Sequence, residues 1–211
     1  MNKNNLFPVA KEGWIYVGYS VLIFIIFSIM DLEFLEFFSF LTIIFFLFIY
    51  RNPERATPFF HENSIVSPVD GKVIAITELN DKDYAYKVEM DSSYFNVSLL
   101  RVPFDSILKS VSVQRGARLS RFDSLSKKIN ENAELVFEDK NANNIKISHI
   151  LKQSFSPIKI EALQAQNFLQ GNRYGVMVSG TTTIYLPQNI RLNVAVGNEL
   201  TGSESLIGYF S

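Results

Sequence analysis

Hydrophobic and polar positions divide the chain into two unlike parts. From Trp14 to Met30 (WIYVGYSVLIFIIFSIM) and again from Phe37 to Tyr50 (FFSFLTIIFFLFIY) no charged residue occurs, while the link between them carries Asp31, Glu33 and Glu36. Such runs predict two membrane-embedded helices. Each falls short of the ~20 residues that span a bilayer comfortably, so a crossing two-helix hairpin is the first reading and a pair that enters one leaflet and returns is the second. A cleaved signal peptide fits poorly, because no small-residue cleavage site follows the first run and a second apolar run comes at once. Lys3, Lys11, Arg51 and Arg55 flank the outer ends. That basic excess predicts cytoplasmic termini, with the rest of the chain on the cytoplasmic side of an inner membrane.

Beyond about Asn52 the pattern changes from continuous to alternating. The runs "SIVSPVDGKVIAI", "YAYKVEM", "NVSLLRV", "ILKSVSVQRGARL", "ELVFED", "IKISHIL", "TTTIYLP", "IRLNVAVGNEL" and "SLIGYF" are short, alternate, and are bounded by turn residues. They predict a mainly β domain, a β-rich barrel or sandwich of roughly 150 residues, over 51–211, preceded by the helical hairpin over 1–50. The stretch "SSYFNVSLLRVPFDSILKSV" leaves room for a helical turn or two around Pro103, and "FDSLSKKINENAEL" reads as a polar, mobile loop in which Lys127 and Lys128 form a solvated pair. Asp70-Gly71 is a tight-turn signal, since glycine accepts positive φ without steric cost. Gly197 and Gly202 punctuate a strand, turn, strand pattern of the kind found in lipoyl-like and biotinyl-like carriers. Such a carrier needs a lysine at the hairpin tip, where this chain has Asn198 and Glu199.

Composition sharpens this picture in three ways. About half of the 19 phenylalanines fall in the first fifty positions, in keeping with a membrane part and a globular part. Cysteine is absent, which removes disulfides, thiol nucleophiles and cysteine-ligated metals; no metal site is expected. A net charge of -1 gives no nucleic-acid signature.

One segment does not serve a core in any obvious way. "YGVMVSGTTTIYLP", from Tyr174 to Pro187, alternates like a strand, yet its centre is Ser179, Gly180, Thr181, Thr182 and Thr183. Taken together with "AKEGW", "YRNPERATP", "ENSIVSPVDGKV", "VSLLRVPFD", "INENAELVFED" and "VAVGNELTGSESLIG", in that order, the chain resembles the short bacterial and archaeal phosphatidylserine decarboxylases along nearly its whole length. The resemblance implies a proenzyme that cuts its own chain before a serine in a Gly-Ser pair, turns that serine into an amino-terminal pyruvoyl group, and converts phosphatidylserine to phosphatidylethanolamine and carbon dioxide through a Schiff base. It also implies an aspartate and a histidine that activate the serine. No separate cofactor is needed.

Carried over residue by residue, the resemblance places the processing aspartate at Asp70 and the Gly-Ser pair at Gly180-Thr181. Ile107, after Pro103-Phe104-Asp105, stands where the histidine belongs, and isoleucine cannot move a proton. The two histidines of the chain, His61 and His149, lie elsewhere and read as ordinary exposed or core residues. Asn52 replaces a usual aspartate with little expected effect on chemistry, and Arg51 and Arg55 are expected beside lipid headgroups. With the imidazole and the serine both gone, the first expectation is a degenerate member that is never cut and that binds or scaffolds at the membrane. Its expected partners are phosphatidylserine, other phospholipid-synthesis enzymes and, from the resemblance alone, a second copy in a homodimer. The alternative is an active decarboxylase in which Thr181 becomes a 2-oxobutyryl group, bulkier than pyruvoyl by one methyl and stiff at χ1.

Overall fold

The computed structural model describes residues 7–55, 58, 63–81, 83–120 and 122–211. The chain forms two compact units, Met1–Glu54 and Arg55–Ser211.

In the first unit a single 3-10 turn, Lys11–Gly13, leads into helix α1 (Trp14–Ile29), and helix α2 (Glu33–Ile49) runs back alongside it. At 1.5 Å per residue each helix is about 24–26 Å long, shorter than a ~30 Å hydrocarbon layer. Counting the 3-10 turn, Lys11–Ile29 is long and apolar enough to cross a membrane by length and composition. Rings join the pair along its length, with Tyr16 stacked on Phe46 and Tyr50, and Phe24 against Phe40. Hydroxyls within the helices are satisfied locally: Ser20 donates to the Tyr16 carbonyl and Thr42 to that of Phe38. This lets them sit among apolar neighbours without an orphaned donor. The open end is tied off by the chain before α1. Asn52 donates from its backbone N–H to the Pro8 carbonyl (2.7 Å) and from Nδ2 to the Phe7 carbonyl (2.8 Å). Asn52 therefore serves the hairpin itself.

The second unit is built from strands β1 (Ser64–Val66), β2 (Gly71–Glu78), β3 (Tyr86–Ser92), β4 (Leu99–Arg101), β5 (Ser106–Gln114), β6 (Asn132–Glu138), β7 (Asn144–Leu151), β8 (Lys159–Ile160), β9 (Asn167–Phe168), β10 (Arg173–Val176), β11 (Gly180–Leu186), β12 (Ile190–Leu192), β13 (Glu199–Leu200) and β14 (Leu206–Phe210), with one short helix, α3 (Ser126–Ile129). The main sheet has the order β13-β2-β3-β11-β7-β6-β5-β9. Two three-stranded sheets, β1-β14-β12 and β4-β10-β8, complete the domain, and every strand pair is antiparallel. The fold is thus mainly β, as the alternating runs predict, with sheets that stay open instead of closing into a barrel. Two-residue strands occupy both edges of the main sheet and cover only the first residues of β2 and β5.

Strand alternation fixes which residues enter the core. Ala133, Leu135 and Phe137 of β6, Ile145 and Ile147 of β7, and Ile184 and Leu186 of β11 are all buried in one cluster. Around Pro103 the chain makes a bend between β4 and β5, and the helical turn expected there does not form, because both flanks are taken up by strand pairing. Asp70-Gly71 turns the chain without making a hairpin: β1 pairs with β14, and β2 with β3 and β13.

The inward rows also hold polar residues, His149 and Thr182 among them. His149 of β7 is fully buried, with hydrogen bonds from Nδ1 to the Thr182 hydroxyl (2.8 Å) and from Nε2 to the Tyr174 hydroxyl (2.7 Å). Burial lowers its pKa from 6.5 to about 3, so it is neutral in the folded protein.

Two outcomes follow from this core. Phe137→Ala, which empties a fully buried site against Phe168 and Tyr174, should cost about 3–5 kcal/mol in denaturant unfolding of the detergent-solubilised chain. His149 has a folded pKa below its unfolded one, so the unfolded chain binds the extra proton between about 3 and 6.5. Stability is then full above that window and falls by up to about 1.4 kcal/mol per pH unit on acidification through it. Unfolding midpoints measured from neutral to mildly acid pH should show this slope in the parent chain and lose it in His149→Gln.

Candidate functional site

Asp70 closes the bend at 68–70 and delivers the chain into β2. Gly71 follows it against the β3 backbone: a Cβ there would lie 2.5 Å from the Asp91 carbonyl oxygen, so only glycine allows this approach. The Ser92 hydroxyl donates to the Asp70 carbonyl (2.5 Å), which fixes the bend against β3. The Asp70 carboxylate faces a different set of partners. Both Arg55 guanidinium nitrogens reach it, Nη2 at 2.8 Å from Oδ2, and it accepts from the N–H of Gly202 (2.8 Å) and the N–H of Val97 (3.4 Å). Burial by itself would raise the pKa of Asp70. The hydrogen bond from Arg55, the Gly202 N–H, the Arg55 charge and the Val97 N–H more than offset this, and the carboxyl is held below its usual range. The same ion pair raises Arg55 against the opposing effect of its burial. Arg55 is therefore bound to Asp70 and Gly202, with its side chain only 10% exposed, and does not stand among lipid headgroups as the basic flank suggests. Arg51 caps the end of α2, donating to the Phe48 carbonyl (2.9 Å) and lying over the Phe48 ring.

Gly180 and Thr181 are the first two residues of β11. Gly180 pairs with Ser92 on one side and Leu151 on the other, and Thr181 with Asp91 and Ile150. Gly71 lies beside Ser92 and Ser92 opposite Gly180, so Asp70 and the Gly180-Thr181 peptide share one end of the sheet, about 10 Å apart at two strand spacings. The fold brings them to the same region, while the Asp70 carboxylate is bound by Arg55, Val97 and Gly202. Gly180 is packed tightly: a Cβ would meet Met177 Sδ at 2.4 Å and the Ile150 carbonyl oxygen at 2.7 Å.

The β pleat separates the hydroxyls of the polar knot. Thr182 points inward to His149, whereas Thr181, Thr183 and Tyr185 face a groove of about 510 Å³. Its other walls come from Lys87 and Glu89 of β3, Glu134 of β6, Ser148 and Ile150 of β7, Lys152, and the segment bearing Phe122, Ser126 and Lys127. Lys87 pairs with Glu89 (2.5 Å) and Lys152 with Asp91 (2.5 Å), while Lys127 approaches Glu89 at 3.6 Å. Burial would raise the pKa of Glu89, and the two lysines lower it on balance. Lys127 thus leans toward a carboxylate at the groove's rim while its side chain stays largely in solvent, as the sequence suggests. The charged row on β3 was open to sequence reading, because Lys87, Glu89 and Asp91 alternate and must share one face of a strand. Lys152 carries no such signal, since only the pairing of β7 with β11 and β3 sets it beside Asp91.

Neither the position that the resemblance gives to the histidine nor the described histidine of the chain meets this site. Ile107 is in β5, three strands from β11 in the sheet order, and pairs with Glu138 and Asn167. His149 lies on the opposite face of the sheet from Thr181, and His61 falls outside the described residues. Among the described residues no imidazole faces position 181, and the peptide before it lies in a strand with partners on both sides.

Comparison with known proteins agrees with the order of motifs along the chain. The phosphatidylserine decarboxylase family profile matches residues 42–208. A phosphatidylserine decarboxylase proenzyme of Geotalea uraniireducens is 28% identical over 98% of both chains, and one from Geotalea daltonii is 29% identical over 98% of both. A third, from Geobacter metallireducens, is 27% identical, again over 98% of each chain. With the match running through the strands that hold Asp70, the groove and Thr181, the chain belongs to the phosphatidylserine decarboxylase family.

Proposed function

We propose that the chain is a membrane-held binder of phosphatidylserine, on the cytoplasmic face of an inner membrane, that keeps its Gly180-Thr181 peptide intact and does not decarboxylate. The observation that carries this reading is the state of that peptide. It sits in a regular, doubly paired strand with a threonine in place of serine, and Asp70 is committed to Arg55 and Gly202. Removing a base that takes part in the transition state commonly costs two to four orders of magnitude in rate, about 3–5 kcal/mol, and here the nucleophile is changed as well.

The groove supports lipid binding through its mixed charge. A phosphoserine headgroup carries an ammonium, a carboxylate and a phosphate, and the groove offers lysine ammoniums at Lys87, Lys127 and Lys152 with carboxylates at Glu89 and Glu134 among them. Phe122, on the rim and largely exposed, suits contact with the acyl region. An apolar hairpin would hold the domain at the surface where the substrate lies, raising its effective concentration. A second reading, an active decarboxylase with a 2-oxobutyryl group from Thr181, draws on one feature: the Thr181 side chain does face the groove.

Intact mass distinguishes the two. A single species near 24.1 kDa is expected, and fragments that meet at Gly180-Thr181 would sink the binding reading. Thr181→Ser should not start cutting there, because among the described residues no imidazole is positioned to help; prompt cleavage in that variant would argue for the second reading. In flotation with vesicles, phosphatidylserine should retain the protein more strongly than phosphatidylcholine. Lys152→Gln should weaken that preference about tenfold, the equivalent of ~1.4 kcal/mol for one lost charge-assisted contact. Equal retention on both lipids would remove the support for headgroup binding.

A further inference from the structure

Strand register sets one end of the main sheet apart. Gln114 of β5 pairs with Asn132, Asn132 with Ile150, and Thr181 with both Ile150 and Asp91, so these residues are level with one another at the end that also holds Gly180. Just beyond them run the loop 93–96 after β3, the described parts of the excursion between β5 and β6, and 152–157 after β7. They are bonded into one rim. The Gln153 N–H donates to the Arg118 carbonyl (3.1 Å), Arg118 Nη1 to the Ser154 and Phe155 carbonyls (3.0 Å each), and the Tyr94 hydroxyl to the Gln153 carbonyl (2.5 Å). Tyr94 also stacks on the Phe155 ring (6.0 Å), and Asn130 Nδ2 ties the excursion to the Leu151 carbonyl (2.8 Å).

This rim presents apolar and basic groups together. Phe95 (79% exposed), Phe122 (84%), Leu125, Ile129 and Phe155 all reach solvent from it. Single exposed apolar residues are ordinary in a folded domain, but aromatic rings gathered on connected loops mark a contact surface. Charge tells what kind of surface it meets. From Gln114 to Asn130 the sequence holds Arg115, Arg118, Arg121, Lys127 and Lys128 against one acid, Asp123, in a chain whose net charge is -1. Arg115 and Arg118 lie beside the buried carboxylate of Glu131, while the Lys127 side chain remains 71% exposed. Rings that favour the headgroup level, interleaved with bases that an anionic leaflet attracts, are the composition of a surface that lies in a membrane interface. The chain also enters the unit at this end: Arg55, its first residue, is bonded to Asp70 and Gly202, and in the sequence it follows the end of the apolar helix α2 by six positions, from Ile49.

We propose that this rim is a lipid-docking surface of the β unit, in which the rings of Phe95, Phe122 and Phe155 enter the headgroup region of an anionic leaflet and Lys127 and Lys128 lie against its phosphates. The proposal rests on the membrane-held reading above and adds an orientation to it: the Gly180 end of the sheet faces the lipid. The groove opens beside the same surface. Phe122 and Lys127 belong both to the rim and to the groove wall, so a headgroup drawn toward Lys152 and Glu89 need not carry its acyl chains through water. Apolar contact sets the depth, and the bases supply the preference for anionic lipid. Docking therefore weakens as salt screens the charges, over a Debye length of about 8–10 Å at moderate ionic strength.

The test is fluorescence quenching in the full chain, reconstituted into vesicles of phosphatidylcholine with or without phosphatidylserine, part of the lipid being brominated on its acyl chains. Trp14, the one tryptophan of the chain, is removed by Trp14→Phe, and a single reporter is then introduced. Ile25→Trp, on an exposed position of α1, reads the hairpin; Phe95→Trp and Phe122→Trp read the rim; Leu163→Trp, exposed between β8 and β9, is the control. With phosphatidylserine present, both rim reporters should shift to the blue and lose about half of their emission to the bromines, as rings at the boundary of headgroups and acyl chains do, while the control keeps its emission. Raising the salt, or adding Lys128→Glu, should recover part of the rim emission and leave Ile25→Trp quenched. A quenched Ile25→Trp with bright, unshifted rim reporters overturns the docking surface and spares the membrane-held reading; an unquenched Ile25→Trp takes that reading away and the proposal with it. Rim reporters that shift to the blue yet are untouched by the bromines would place a protein on this surface, a second copy of the chain included, and overturn the proposal equally.

Discussion

The Asp70 carboxylate is the point on which the β unit's arrangement turns. It is bound by Arg55 at the start of the unit, by the Val97 N–H ahead of β4, and by the Gly202 N–H between β13 and β14. Three stretches, up to 132 positions from Asp70, therefore converge on its side chain. A carboxylate that is largely buried and paired with a single guanidinium loses hydration that only well-placed donors can replace, and here two backbone N–H groups complete the shell. The cost of breaking one partner is high for the same reason.

That commitment supports the proposed reading, in which the family framework binds without cutting. Asp70 and Gly180-Thr181 lie at one end of the same sheet, as a processing site requires. The carboxylate nevertheless points its hydrogen-bonding capacity at Arg55 and Gly202, and Thr181 is held in regular pairing by Asp91 and Ile150. Proximity of elements is a property of the fold, whereas catalysis needs a nucleophile, a base and an open approach to the carbonyl.

The threonine-rich segment of β11 also has a structural account. In a strand, neighbouring side chains face opposite ways. Thr182 completes a buried network with His149 and Tyr174, while Thr181 and Thr183 give the groove a hydroxyl-lined floor. A polar knot that contributes little to an apolar core thus serves two surfaces at once. Gly180 is required at its head because Met177 and the Ile150 carbonyl leave no room for a Cβ.

By itself the sequence determined the two-part organisation, the mainly β character and the family, because these rest on local patterns: uncharged apolar runs, alternation with period two, and motifs in a fixed order. It also placed Asp70, Gly180 and Thr181 as candidates, and identified the missing imidazole at Ile107. Tertiary structure alone decided that Arg55 joins Asp70 across 15 positions, that Lys152 reaches Asp91 across 61, and that His149 meets Thr182 inside the core. It alone set the left-handed backbone of Ser203. These contacts depend on strand register and on which face each residue takes, and a one-residue slip in register would reverse them all without altering the local pattern.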